Sequence, residues 1–200
     1  MADLPLGFTF REKMSGGFAM GATDPVAGAK IGHDAGNIFT MHGTITIPDL
    51  NNFLKDSEHP GSITGTIDFA PLGTGLPSTK GVFNLFSPTS NPVSKYMVYE
   101  LGFNAGGQSY YMAGHKDVKK ASVLDLWSAT TTLYTQLHSG TDTTGPVVGA
   151  GIISLSPADL VAMIPTLHAI NAKNAEESAA ATAKFGKFFL GELWDTYVKK

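Results

Sequence analysis

Histidine, acidic and tyrosine side chains lie close together near residue 115, where they are the groups best suited to move protons or orient a ligand. Period-two alternation along a predicted strand places His115, Asp117 and Tyr111 on one face and turns Lys116 to the other. Histidine titrates near neutral pH, so a strand-end histidine beside Asp and Tyr is suited to acid–base chemistry. These three residues are therefore candidate catalytic residues. The alternative is that they tie down a loop.

A second unusual acidic residue is Glu12. Alternation places it on the apolar face of the first predicted strand, together with Phe8, Phe10 and Met14. A carboxylate on such a face is either paired, for example with a lysine or a buried hydroxyl, or lines a cavity with a raised pKa. Glu12 is therefore the fourth candidate catalytic residue.

The spacing of the other reactive residue types gives no metal or cofactor motif. No two histidines are two or four residues apart; they are His33, His42, His59, His115, His138 and His168. Cysteine is absent, and neither a Gly-x-Ser-x-Gly nor a Gly-x-Gly-x-x-Gly motif occurs. We therefore expect no metal and no bound cofactor.

Composition narrows the class of protein and of partner. The chain has 200 residues, of which 42% are hydrophobic and 16% charged, and its formal net charge is −3. Such values are typical of one soluble globular domain and argue against nucleic acid as a partner, because phosphate backbones are bound by clustered Lys and Arg. No apolar run is long enough to span a bilayer, and no signal peptide is evident. The lack of cysteine favours a reducing compartment, the cytoplasm.

Strand patterns dominate the chain from Gly7 to about Leu155. About eight runs alternate apolar and polar residues between clusters of Gly, Pro, Asn and Asp. This succession predicts a mainly β domain, an antiparallel barrel or sandwich, and we favour a barrel that holds a ligand. The segment from Met14 to Gly36 lacks periodicity and is predicted to be a long loop.

The predicted strands suggest where a ligand would bind. The face formed by Met97, Tyr99, Leu101 and Phe103 is continuously apolar and belongs in the core. Tyr99 and Phe103 on this face, with Trp127 beyond the polar segment, are candidate ligand-binding residues.

Helices are predicted after the second strand and at the C-terminus. Pro48 begins a short helix, and Ser156 caps a second one that Pro165 should stop or kink. A last helix starts at an Asn174 cap and carries an aromatic stripe, which we expect to pack on the sheet. Residues 1–200 thus form a single domain, with a β core at about 7–155 and a helical segment at about 156–199.

Several of these segments resemble the all-β accessory region of long bacterial and fungal proteins that carry a cholesterol-oxidase-like flavoprotein domain of the glucose-methanol-choline oxidoreductase type. The resemblance covers nearly the whole chain, with the segments Phe8-Thr-Phe-Arg-Glu-Lys-Met-Ser-Gly16, Gly43-Thr-Ile-Thr-Ile-Pro-Asp-Leu50, His59-Pro60 with Gly65-Thr66, Gly81-Val-Phe-Asn-Leu-Phe86, Gly114-His-Lys-Asp-Val118, Asp125-Leu-Trp-Ser-Ala-Thr-Thr-Thr-Leu-Tyr134 and Phe185-Gly-Lys-Phe-Phe-Leu-Gly-Glu-Leu-Trp-Asp-Thr-Tyr197. It implies a role in recognising or delivering a lipid- or sterol-like substrate, or in docking to a flavoprotein oxidase. It supplies no catalytic residues.

Three functions follow as hypotheses. The favoured one is a binding or accessory module for a small apolar ligand, which predicts a cavity of several hundred Å3, the usual size of ligand pockets. The second is a cofactor-independent acid–base enzyme, an isomerase or cyclase, whose candidate residues converge in that cavity. The third is a scaffold that is packed solidly inside and binds partners through its aromatic C-terminal helix.

Overall fold

The computed structural model describes residues 4–90, 94–119 and 130–197, with the side chains of 117–119, 190 and 192–197 outside that description. Its helices are α1 (Pro25–Asp34), α2 (Leu50–Lys55), α3 (Pro157–Met163) and α4 (Ala175–Tyr197). A 3₁₀ turn, Ile164–Thr166, follows α3 directly, because Pro165 cannot continue an α-helix.

In the described ranges, nine strands form one antiparallel sheet that closes on itself. They are β1 (Gly7–Met20), β2 (Ile38–Ile47), β3 (Pro60–Phe69), β4 (Gly73–Pro88), β5 (Ser94–Ala105), β6 (Gln108–Lys119), β7 (Thr132–Ser139), β8 (Val147–Ser154) and the short β9 (His168–Ile170). From β2 to β8 each strand pairs with the next along the chain, and β1 pairs with both β8 and β2. The predicted mainly β fold is confirmed, as an up-and-down barrel of eight strands with β9 added at one edge of β1.

The closure of the barrel depends on the length of β1. Its first part pairs with β2, in a register that sets Phe8 opposite Ile47. Its last part pairs with β8, where Phe18 lies opposite Gly151. A strand that pairs on both sides removes the free edges that a sandwich would leave.

A two-residue hairpin turn joins β5 and β6. Gly106 and Gly107 have φ angles of 55° and 78°, the left-handed conformation that a two-residue turn of this kind requires at both positions. The turn fixes the β5–β6 register, in which Tyr99 lies opposite Gly114 and Met97 opposite Lys116.

The prediction of a long loop from Met14 to Gly36 is wrong. β1 continues to Met20, and α1 packs on β1 and β8. Glycines hide the strand and helix patterns because they allow very close contact: a Cβ on Gly17 would lie 2.2 Å from the Ala29 carbonyl oxygen, and one on Gly32 would lie 2.1 Å from the Phe18 nitrogen. These glycines therefore allow close packing of the helix on the strand and do not form a flexible loop.

The two ends of the barrel interior differ. The end nearest α1 is filled by side chains, among them a cluster of three rings whose centroids lie 4.9–5.4 Å apart: Phe18, Phe39 and Phe69. At the other end α4 lies across the barrel, with the ring of Phe185 stacked on that of Phe8 at 4.5 Å. The prediction that the aromatic helix packs on the sheet is confirmed for its described side chains, of which Ala181 and Phe185 are buried.

Candidate functional site

A cavity of about 490 Å3 lies at the end of the barrel that α4 covers. Its lining is almost entirely apolar and comes from the barrel wall, from the segment around α3 and from α4. The lining residues are Phe8, Phe10, Glu12, Phe83, Leu85, Met97, Tyr99, Lys116, Thr130, Thr131, Leu155, Leu160, Met163, Leu167, Thr182, Phe185, Gly186 and Phe189. The volume lies in the range of sites for small organic ligands.

Three polar side chains on the cavity wall come from three strands that reach this end of the barrel. In an up-and-down barrel, odd strands begin and even strands finish at the same end. Glu12 lies in the first half of β1, Tyr99 in the first half of β5 and Lys116 in the second half of β6. Alternation turns all three inward, and their side chains meet across the interior of the barrel.

These three residues, here called the polar cluster, are joined by hydrogen bonds. The Tyr99 hydroxyl donates to Oε2 of Glu12 at 3.0 Å. Nζ of Lys116 donates to Oε1 of Glu12 at 3.5 Å and to the Tyr99 oxygen at 3.3 Å. The same Nζ lies 4.5 Å from the centroid of the Tyr99 ring, a cation–π distance. Every member of the polar cluster thus contacts the other two.

Burial governs the electrostatics of the polar cluster. Glu12, Tyr99 and Lys116 are 6%, 3% and 1% exposed. Burial lowers the pKa of Lys116, because it disfavours the ammonium form, and the nearby Glu12 carboxylate opposes this effect only in part. Burial also raises the pKa of Tyr99 well above its ordinary value, and the Glu12 charge raises it further. Both pKa shifts favour the uncharged forms of Lys116 and Tyr99 at the cavity wall.

His115 and Tyr111 do not line the cavity. His115 is exposed on the outer face of β6, with its ring 5.6 Å from that of Tyr96. Tyr111, on the same strand face, is buried, and its hydroxyl donates to the Glu100 carboxylate. This contact and burial raise the pKa of Tyr111. The backbone of Asp117 belongs to β6, while its side chain lies outside the described residues.

Glu12 and Tyr99 are the predicted site residues that the structure brings together. Glu12 faces inward and pairs with a lysine and a hydroxyl, one of the two arrangements that its position predicted. Phe103 is buried at the packed end, stacked on Tyr110 at 5.7 Å, and does not line the cavity. Trp127 lies outside the described residues. The convergence of His115 and Glu12 that the enzyme hypothesis required does not occur.

Sequence reasoning missed Lys116 as a site residue. The signal was present, because alternation on β6 turns Lys116 toward the same side as the buried Met112. A lysine on an apolar strand face requires a partner, and Glu12 was the unpaired acid available. Lys116 is the only buried lysine among the side chains that the structure describes.

Within the described residues, no three His, Asp or Glu side chains are grouped closely enough to hold a metal ion. None of the helices in the described ranges combines the length and hydropathy needed to cross a membrane.

No family model, curated protein or solved structure matches this chain.

Proposed function

We propose that this protein binds a small lipid- or sterol-like ligand that carries one uncharged polar group. The observation that supports this proposal is the apolar cavity of about 490 Å3 with a single buried polar cluster in its wall. An apolar cavity wall favours a hydrocarbon body, since each buried CH₂ group contributes about 0.8 kcal/mol. The polar cluster would orient the ligand's polar end.

The charges of the polar cluster argue for an uncharged polar group. The Glu12 carboxylate lies 3.5 Å from the Lys116 nitrogen and balances its charge, so the pair offers no net positive charge to a ligand carboxylate. Burying an unbalanced anion costs far more than burying a hydroxyl or carbonyl that has a hydrogen-bond partner. We therefore expect an alcohol, aldehyde or ketone to bind more tightly than a fatty acid of the same chain length.

Native mass spectrometry of freshly purified protein, followed by organic extraction, is the direct test. We expect the protein to carry a stoichiometric neutral lipid, or to take up dodecanol and to bind dodecanoate at least tenfold more weakly. A protein that is free of lipid and takes up neither dodecanol nor cholesterol would contradict the proposal.

Two glycines of α4 provide a matched pair of variants for this test. Gly186 lines the cavity and Gly191 is exposed, and a Cβ on either would meet no atom within 4 Å. We expect Gly186→Leu to fill part of the cavity and weaken dodecanol binding at least tenfold. Gly191→Leu should bind dodecanol like the wild type, which separates filling of the cavity from a general effect on the helix.

The resemblance to the accessory region of flavoprotein oxidases supports a narrower version of the proposal, in which the ligand is delivered to such an oxidase. None of the described residues that line the cavity indicates binding to such an oxidase. The proposal for ligand binding does not depend on it.

An acid–base enzyme is the second candidate function. The observation that favours it is that the polar cluster places a carboxylate, a phenol and an amine at one point on an apolar cavity wall. Its residues would be Glu12, Tyr99 and Lys116 instead of His115 and Asp117. Chemical conversion of a bound ligand, seen when the extract is compared with the ligand supplied, would favour this enzyme; recovery of the ligand unchanged would favour binding. The scaffold hypothesis predicts a solid interior, which the cavity does not match.

A further inference from the structure

The amine of Lys116 combines three features that suit carbonyl chemistry. It lies on the wall of an apolar cavity, it is 1% exposed, and its hydrogen-bond partners are a carboxylate and a phenol. A lysine amine becomes nucleophilic when it loses its proton, and burial in an apolar site favours that loss. Burial lowers the pKa of Lys116 in this structure.

The hydrogen bonds of Lys116 can also be made by the neutral amine, the form that reacts after the ammonium ion has lost one proton. A neutral amine has two N–H groups and one lone pair, whereas an ammonium ion has three N–H groups. In the described part of the chain, Nζ donates to Glu12 and to Tyr99, which uses two N–H groups. The lone pair of the neutral form is then free to attack a ligand in the cavity.

We propose that Lys116 forms a reversible imine with an aldehyde or ketone of an apolar ligand bound in this cavity. The inference rests on the proposed ligand-binding function and names its ligand class.

The reaction is balanced without a redox partner. The Lys116 lone pair attacks the carbonyl carbon and forms the C–N bond as the π bond of the carbonyl breaks, and one amine proton moves to the carbonyl oxygen to give a hydroxyl. The second amine proton then moves to that hydroxyl, the C–O bond breaks, and water leaves as the nitrogen electron pair completes the C=N bond.

Glu12 is placed to carry these protons. One of its oxygens lies 3.5 Å from the Lys116 nitrogen and the other lies 3.0 Å from the Tyr99 hydroxyl. A carboxylate in this position can accept a proton from nitrogen and return it to oxygen, which is the role of a general acid and base.

Dodecanal with sodium cyanoborohydride tests the inference, because the reductant converts an imine into a stable secondary amine. We expect a single adduct at neutral pH, with a mass gain equal to dodecanal less one oxygen atom, and peptide mapping should place it on Lys116. Lys30→Met, which removes an exposed lysine, should form the same adduct. Glu12→Gln should form it at least tenfold more slowly.

Two variants that lack the Lys116 amine, together with dodecanol as the matched alcohol, test whether the imine forms on Lys116. Lys116→Met should give no adduct, and because that variant loses the partner of a buried carboxylate, Glu12→Gln with Lys116→Met serves as the second amine-free protein. Uptake of dodecanol without any dodecanal adduct on Lys116 would overturn the imine and leave the binding function intact. Failure to bind dodecanol and dodecanal alike would overturn the binding function itself.

Discussion

Glu12 and Lys116 are two opposite charges that lie almost out of reach of water, at 6% and 1% exposure. Their mutual attraction offsets the cost of desolvating both groups only while both are present. A third group, the Tyr99 hydroxyl, needs Glu12 as its acceptor. The contribution of the polar cluster to stability therefore depends on Glu12 and Lys116 together. Replacing only Lys116 should destabilise the protein more than replacing both residues.

Lys116→Met is expected to lower the free energy of unfolding by about 3 kcal/mol or more, because it leaves the Glu12 carboxylate buried without a cation. The double variant Glu12→Gln with Lys116→Met is expected to be at least as stable as the wild type, since glutamine still accepts a hydrogen bond from Tyr99. Urea unfolding of the four proteins of the cycle measures both effects. Additive single substitutions would contradict the coupling of this pair.

The pH dependence of stability follows from the lowered pKa of Lys116. The unfolded chain keeps the ordinary value of 10.5, so between the two values it binds the extra proton, and the free energy of unfolding rises with pH. We expect the stability of the wild type relative to the double variant to rise as the pH increases toward 10.5, by at most about 1.4 kcal/mol per pH unit. Above pH 10 the raised pKa of Tyr99 acts in the opposite sense, because the folded protein then holds the extra proton. A flat or falling difference below pH 10 would be inconsistent with a lowered pKa of Lys116.

Among the elements, α1 depends on backbone contact more than on side chains. Its buried residues are two glycines, Gly28 and Gly32, and a Cβ on either would lie 2.1 Å from a backbone atom of β8 or β1. Asp24 caps the helix by accepting a hydrogen bond from the Ala27 nitrogen at 2.8 Å. The helix thus follows the barrel wall as closely as two backbones allow.

Gly32→Ala is expected to lower the free energy of unfolding by about 1–3 kcal/mol, because the added methyl forces α1 away from β1. Gly191→Ala is the control, since it adds a methyl to an exposed helical glycine with open space around it and should be neutral or stabilise by up to about 1 kcal/mol. Thermal or urea unfolding compares the two. Equal stability of Gly32→Ala and wild type would show that α1 can move without cost.

At the scale of the whole molecule, much of the fold could be predicted because most strands show their alternation and most helices show their caps. The short helix after β2 and the cap at Ser156 are local signals and both occur, although the short helix begins at Leu50 with Asp49 as its cap and not at Pro48. The barrel that the sequence favoured is confirmed, but the register in which it closes could not be predicted, because it depends on Ser15 pairing with Ser154, far away in sequence. The three-residue β9 is too short to leave a pattern.

Two of the three residues of the polar cluster could be predicted from the sequence. Glu12 and Tyr99 were found because each breaks or extends an apolar face within one strand. Lys116 was passed over because its partner lies on another strand, 104 residues away, and nothing local records that contact. His115 drew attention through its residue type, although its strand face turns it outward.

Helix α4 covers one end of the cavity. The stacked rings of Phe8 and Phe185 join this last described helix to the first strand, and the cavity lies beneath them. If a ligand enters or leaves past α4, the contact between Phe8 and Phe185 must separate, and we expect such local opening to be rarer than the motion of an exposed loop. Exchange of a bound molecule would then be slow even when its affinity is modest, and the residence time would be set by the contacts of one helix.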